Sequence, residues 1–177
     1  KGYGISCDMR YNGNNTRETI DEMLEAMWNS IKERLNPEVL ANLLFMLDAS
    51  GSMNGLPFEA GSAIAIMGAT CIPENNPFHR CIVSFTDQPD FHVVNGDTLL
   101  EQVRSVSGMR VGYSTKFRLA LELILNKIVK LERTGKFTKE EIAAFLPNAF
   151  VILTDGQWDA FDRGYHSGVE AAAELFR

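Results

Sequence analysis

The spacing of apolar residues along the chain predicts where its helices lie. Between residues 17 and 35, apolar side chains recur at steps of three and four with charged residues between them, which predicts an amphipathic helix. We expect Trp28, Met23 and Met27 of this helix to lie in the core. The same spacing predicts the remaining helices, at residues 57–70, 99–106, 117–131 and 169–177.

Continuous apolar runs predict strands that are buried on both faces, as in a parallel sheet. Such runs lie at residues 43–47, 81–85 and 150–153, and a shorter strand is expected at 91–94. Residues 86–89 are compatible with a tight reversal, so the two strands that they join are expected to be antiparallel. Alternating strands and helices indicate an α/β sandwich with a mostly parallel central sheet, one short antiparallel edge strand and helices on both faces. The side chains expected to be buried in the central strands are those of Phe45, Leu47, Val83, Phe85, Val151 and Leu153.

The pattern changes near Pro37 and divides the chain into two regions. Residues 1–36 are expected to form an N-terminal arm followed by the amphipathic helix, and residues 37–177 to form the α/β domain. The longest apolar runs are far shorter than the roughly 18 residues that a membrane-spanning helix needs. We therefore expect no transmembrane segment.

Net charge and cysteine content indicate which binding partners and which cellular compartment to expect. The chain carries 23 acidic and 17 basic residues, a formal net charge of -6. This charge disfavours general binding to phosphate backbones, although a local basic patch would still permit RNA binding. The cysteines number 3, an odd count without CxxC spacing, which indicates reduced thiols rather than a disulfide framework. We therefore expect an intracellular, cytoplasmic protein.

Acidic and hydroxyl side chains follow two of the apolar strands. Asp48 ends one strand and Asp155 follows another after a single threonine. Since carboxyl ends of parallel strands meet at one edge of the sheet, where α/β proteins bind ligands, we expect both carboxylates there. Asp48, Ser50 and Ser52 occupy alternate positions of one loop, and their oxygens suit a hard cation such as Mg²⁺ that keeps an open position for an external acidic group. The alternative is that Ser50 and Ser52 cap the next helix.

Other site chemistries fit the residues less well. An aspartate that accepts a phosphoryl group needs a second Asp two positions later, where this chain has Ser50, and neither a GxSxG elbow nor a P-loop is present. The three histidines, at positions 79, 92 and 166, are scattered without the spacing of metal ligands. Because no base–nucleophile pair is visible, we expect a binding protein and not an enzyme.

The string Asp48-Ala49-Ser50-Gly51-Ser52-Met53 resembles the DxSxS signature of von Willebrand factor A (vWA) domains. That family has a metal-ion-dependent adhesion site built from three loops, and Thr115 before a helix and Asp155 after an apolar strand are similar to the other two. The resemblance implies a Rossmann-like vWA domain over residues 37–177, with its last strands missing. It also implies that Mg²⁺, Mn²⁺ or Ca²⁺ is held by the hydroxyls and carboxylates of Ser50, Ser52, Thr115, Asp48 and Asp155.

A narrower resemblance concerns residues 85–89, 115–117 and 123–125. These segments are similar to a family of uncharacterised intracellular vWA proteins, distantly similar to Ro-type (TROVE) RNA-binding proteins. The resemblance implies a cation-dependent binding module that recognises an acidic residue of a protein partner. Two alternatives stay open: the vWA part of a Ro-type ribonucleoprotein, which a basic stripe with aromatic residues would favour, and a metal-dependent hydrolase, which a titratable residue beside the metal would favour.

Overall fold

The computed structural model describes residues 22–112 and 116–156. The helices of this part are α1 (Glu22–Lys32), α2 (Pro37–Leu40), α3 (Leu56–Cys71), α4 (Leu99–Ser107), α5 (Phe117–Arg133) and α6 (Lys139–Phe145). The strands are β1 (Leu43–Asp48), β2 (Cys81–Phe85), β3 (Asp90–Val93) and β4 (Ala149–Leu153). A 3-10 turn, Gly51–Met53, follows β1.

The four strands form one sheet in the order β3-β2-β1-β4. β1 is parallel to both neighbours, with Met46 opposite Val83 on β2 and opposite Ile152 on β4. β2 and β3 are antiparallel, which confirms the reversal expected at residues 86–89. The predicted α/β fold with a mostly parallel sheet and one antiparallel pair is therefore confirmed. The carboxyl ends of β1, β2 and β4 consequently lie at the same edge of the sheet.

Helices cover both faces of β1, and this explains its continuous apolar run. Phe45 and Leu47 pack into a core that also contains buried residues of α3 and α4. The alternate residues Leu44 and Met46 pack into a second core on the other face, together with residues of α5. A strand enclosed in this way has no solvent face and needs no polar alternation.

Helix α3 packs closely against β1, and two glycines on α3 make this approach possible. A Cβ on Gly68 would lie 1.9 Å from the Cζ of Phe45, and one on Gly61 would lie 2.9 Å from the Cδ1 of Leu47. Neither position tolerates a larger residue without movement of a neighbour. Gly61 and Gly68 are therefore packing residues of the helix–sheet interface.

The structure corrects the expected burial of α1. Trp28 is buried in the same core as Phe45, as expected. The prediction was wrong for Met23 and Met27, whose exposed fractions are 67% and 55%. Helical spacing marks an apolar stripe, but α1 buries only the part of its stripe that faces the core. A hydrogen bond also joins α1 to α4: Glu25 Oε2 accepts from the N–H of Leu99 at 2.7 Å.

Strand β4 is also less buried than predicted. It pairs only with β1 and forms an edge of the described sheet, so Val151 and Leu153 are half-buried and not fully enclosed.

Helix α6 lies in a charged segment for which no helix was predicted, and its N-terminus is a capping box between Thr138 and Glu141. The expected arm at residues 1–16 and the helix at 169–177 fall outside the described residues. Among the described helices, none is long and apolar enough to cross a membrane.

Candidate functional site at the carboxyl edge of the sheet

Asp48, the last residue of β1, is fully buried. Its Oδ1 accepts a hydrogen bond from the backbone N–H of Ser50 at 2.9 Å, which begins the following loop as an Asx-turn. Its Oδ2 accepts a hydrogen bond from the hydroxyl of Thr154 at 2.8 Å. Within residues 22–112 and 116–156, no lysine, arginine or histidine forms an ion pair with this carboxyl group. Its hydrogen-bond partners are therefore neutral donors.

The hydroxyl groups of Ser50 and Ser52 lie together beside this loop. Their Oγ atoms are 3.1 Å apart; Ser50 is buried and Ser52 is exposed. Between them and α3, Met53 is buried in the core and anchors the 3-10 turn. Neither serine caps a helix. Ser50 precedes the 3-10 turn, but its side chain forms no capping hydrogen bond, and the N-cap residue of α3 is Gly55. The capping alternative raised by the sequence is not what these hydroxyls do.

A second segment, residues 110–112, closes against the same loop. Gly112 forms a parallel bridge with Ser50, and its N–H donates to the carbonyl of Ala49 at 3.0 Å. On its other side, a Cβ on Gly112 would lie 2.5 Å from the Cβ of Thr86 and 2.2 Å from Oδ1 of Asp87. The backbone at Gly112 therefore passes between the ends of β1 and β2, where no room is left for a side chain.

The loop after β4 contributes the third segment. The hydroxyl of Thr154 that donates to Asp48 also accepts a hydrogen bond from the N–H of Gly156 at 3.1 Å. Asp155 lies between these two residues and is half-buried. The bond between Thr154 and Asp48 brings the ends of β4 and β1 together, so the edge that was predicted to carry both aspartates carries both.

Among the predicted site residues, the structure brings Asp48, Ser50 and Ser52 into one loop and places Asp155 on the neighbouring one. Thr115 lies outside the described residues, although Gly112, three positions before it, contacts the same loop. The assignment of these five residues as metal ligands stays a prediction.

Sequence reasoning missed Thr154, which holds the Asp48 carboxyl group in place. A signal was present, because Thr154 directly follows the β4 apolar run and precedes Asp155. A hydroxyl in that position can reach across to the end of a neighbouring parallel strand.

The donor set fits a hard divalent cation. Carboxylate and hydroxyl oxygens are the ligands that Mg²⁺ and Ca²⁺ prefer. Octahedral ligands about 2.0–2.1 Å from Mg²⁺ lie about 2.9 Å from each other, and the two serine Oγ atoms are 3.1 Å apart. The described residues contain no cluster of three or more His, Cys, Asp or Glu side chains with metal-binding geometry. A cation here would therefore depend on hydroxyl groups for much of its protein coordination.

A separate, shallow and open depression of about 510 Å³ lies away from this edge. It is lined in part by His92 and Ser105, whose Nε2 and Oγ atoms are 3.0 Å apart. Burial lowers the pKa of His92, and the negative charge of Asp90 opposes this effect in part. His92 pairs with Ile82 on β2, well before that strand reaches the edge that carries Asp48, so it is not placed to act there.

Comparison with known proteins adds a family but no activity. The model of the family described as "Domain of unknown function (DUF7788)" matches residues 42–167. An uncharacterised protein of Acanthamoeba polyphaga mimivirus is 27% identical over 156 residues, which cover 88% of this chain and 25% of the viral protein. The chain thus spans about a quarter of the length of the curated relative that it matches. No solved structure matches the chain significantly.

These findings correct the family inferred from the loops. The identification as a vWA domain close to Ro-type proteins was wrong, because the family model that matches is DUF7788 and the relative carries no vWA or Ro description. Its physical basis was narrow: short loops of Asp, Ser and Thr after strands arise wherever a sheet edge needs hydrogen-bonded turns, so they do not establish ancestry. The DUF7788 match covers most of the sequence from Asn42 onward. The chain therefore belongs to the DUF7788 family, a domain of unknown function.

Proposed function

We propose that this domain is a divalent-cation-dependent binding module that captures an acidic residue of a protein partner at the carboxyl edge of its sheet. The observation that carries the proposal is the environment of Asp48. This carboxyl group is fully buried, its described partners are neutral donors, and two serine hydroxyls lie 3.1 Å apart on the loop that begins with it. Burying a carboxylate without a compensating positive charge is costly, and a cation would compensate it.

The residues of the edge have separate tasks in this proposal. Asp48 supplies negative charge, and its hydrogen bonds to Ser50 and Thr154 keep both carboxyl oxygens in fixed positions. The hydroxyls of Ser50 and Ser52 supply neutral oxygen ligands. Thr115 and Asp155 are the proposed further ligands, directly or through water.

Neutral ligands matter for the chemistry of capture. With Mg²⁺, Mn²⁺ or Ca²⁺ bound, a site with few carboxylates supplies residual positive charge and a coordination position for an external carboxylate oxygen. The protein's role is to hold oxygens in place and to leave that position open. Binding without catalysis is the proposed activity.

The first experiment measures thermal stability with and without Mg²⁺ or Mn²⁺. A ligand at about 100 times its Kd stabilises the native state by about 2.7 kcal/mol, which for a domain of this size corresponds to a rise in Tm of about 5–10 °C. We expect this rise in the wild type and none in Asp48→Asn. The matched control is Asp97→Asn, which removes the same charge from an exposed residue. Asp97 pairs with Arg80, and Arg80 lies just before β2, far from the edge that carries Asp48.

Two further variants separate the metal from general damage to the loop. Thr154→Val removes the hydroxyl that donates to Asp48 and should weaken the Mg²⁺ response, whereas Thr154→Ser keeps the donor and should preserve it. An equal rise of Tm in wild type and Asp48→Asn would refute the assigned site.

The second experiment tests capture of a carboxylate. Mn²⁺ bound to the protein enhances the relaxation of water protons, and propionate, an analogue of an acidic side chain, should reduce this enhancement by displacing water. Propionamide has the same shape without the charge and should leave the enhancement unchanged. Equal effects of the two compounds would contradict capture through a carboxylate.

A further inference from the structure

Two exposed apolar side chains lie beside the loop that carries Asp48 and Ser50. Leu56 is 76% exposed and Val111 is 68% exposed, the highest values among the large apolar side chains in the described part of the chain. Exposing an apolar side chain forgoes the stabilisation that its burial would provide. Single exposed apolar residues are ordinary on protein surfaces, so their position decides whether they have a meaning.

Both residues are tied to the candidate site by the backbone. Val111 directly precedes Gly112, which forms a bridge with Ser50. Leu56 is the first residue of α3 and follows the 3-10 turn that contains Ser52. Because consecutive Cα atoms are about 3.8 Å apart, each side chain lies within a few residues' reach of the serine hydroxyls.

The charged side chains near these two residues are of both signs. Arg110 directly precedes Val111 and is exposed. Asp87, which is exposed, lies against Gly112, and Glu59 follows Leu56 by three positions on the first turn of α3. A cation held by the serine loop would therefore supply the positive charge that attracts an acidic partner.

We infer that Leu56 and Val111 are specificity contacts, and that the partner segment carries an Asp or Glu with large apolar side chains beside it. This inference rests on the proposed function, since the carboxylate would be held through the cation. The apolar neighbours of that carboxylate would cover Leu56 and Val111 and remove them from water. Burying one such side chain on each partner strengthens binding by about ten-fold per contact.

The probe is a displayed library of random peptides, selected on the full chain in Mg²⁺ and eluted with EDTA. We expect peptides recovered in this way to contain Asp or Glu with Leu, Ile, Phe, Met or Val within two positions. Recovery of acidic peptides without apolar enrichment would overturn the inference and leave the proposed function standing. Recovery of no EDTA-sensitive peptide would count against both.

Three serine variants then test the positions with a synthetic copy of one recovered peptide. Leu56→Ser and Val111→Ser should each weaken its binding about ten-fold, while the Mg²⁺-induced rise in Tm stays that of the wild type. The matched control is Val39→Ser, because Val39 is 66% exposed but lies on α2, at the opposite end of β1 from Asp48. Equal affinity in all three variants would refute the contacts, whereas loss of the Mg²⁺ response in wild type would refute the cation site itself.

Discussion

Replacing Gly112 by alanine would place a methyl group in a space that is already filled. The new Cβ would lie 2.5 Å from the Cβ of Thr86 and 2.2 Å from Oδ1 of Asp87, whereas ordinary contacts begin near 3.4 Å. Asp87 is exposed, so its side chain can rotate away. Thr86 is 1% exposed and its Cβ is attached directly to the backbone at the end of β2, so relief there requires the backbone to move.

The size of the effect follows from this difference between the two neighbours. The segment would have to move about 1 Å from Thr86, and forced overpacking of this kind costs about 1–3 kcal/mol. For a domain of this size, that corresponds to a decrease in Tm of about 2–12 °C. Because Gly112 is bridged to Ser50, the same movement should displace the serine loop and reduce the stabilisation by Mg²⁺.

Denaturant unfolding and thermal scans with and without Mg²⁺ measure both effects. Gly51→Ala is the matched control, since a Cβ at Gly51 meets no atom within 4 Å although it lies on the serine loop; its stability should stay within about 0.5 kcal/mol of the wild type. Adding Asp87→Ala to Gly112→Ala should restore little, because the buried Thr86 remains. Wild-type stability of Gly112→Ala, or full rescue by Asp87→Ala, would show that this close approach does not govern the site.

Two further predictions concern the helix–sheet interface and the pH dependence of stability. Gly68→Ala should lower the free energy of unfolding by about 1–3 kcal/mol despite the better helix propensity of alanine, because its Cβ would meet the buried ring of Phe45. In a double-mutant cycle, Phe45→Leu should recover part of this loss. Strictly additive effects of the two substitutions would contradict the contact. Burial lowers the pKa of His92 in the folded state, so the unfolded chain binds a proton first as pH falls below about 6.5. The free energy of unfolding should therefore be undiminished above that pH and fall below it. Denaturant titrations at pH 7.5 and 5.5 should show a smaller difference in the free energy of unfolding for His92→Gln than for wild type, and an equal difference would exclude His92 as the source.

The order of the elements along the chain was predictable because each element has its own pattern. The apolar run of β1 ends at Asp48, and its neighbours in the sheet have runs of the same kind. Buried runs indicate a sheet covered on both faces, and parallel pairing then requires the strand ends to meet. For this reason Asp48 and Asp155 could be placed at one edge without coordinates. Helix α6, in contrast, was missed because its charged residues conceal the capping box at Thr138.

The degree of burial was predictable only in part. Helical spacing identifies a stripe of apolar residues but not how much of it a neighbour covers, so Trp28 was placed correctly and Met23 was not. In the same way, an apolar strand can lie in the centre or at the edge of a sheet, and Val151 is half-buried because β4 has one partner in the described sheet.

The residue types at the ends of the strands were predictable from the local pattern, since that pattern specifies where each strand stops. How those ends fit together depends on contacts that form only in the folded protein. The hydrogen bond from Thr154 to Asp48 and the passage of Gly112 between Ser50 and Thr86 join segments that are remote in the chain. Such contacts depend on the register of neighbouring strands and on the space left between backbones, and neither quantity is written in the periodicity of a single segment.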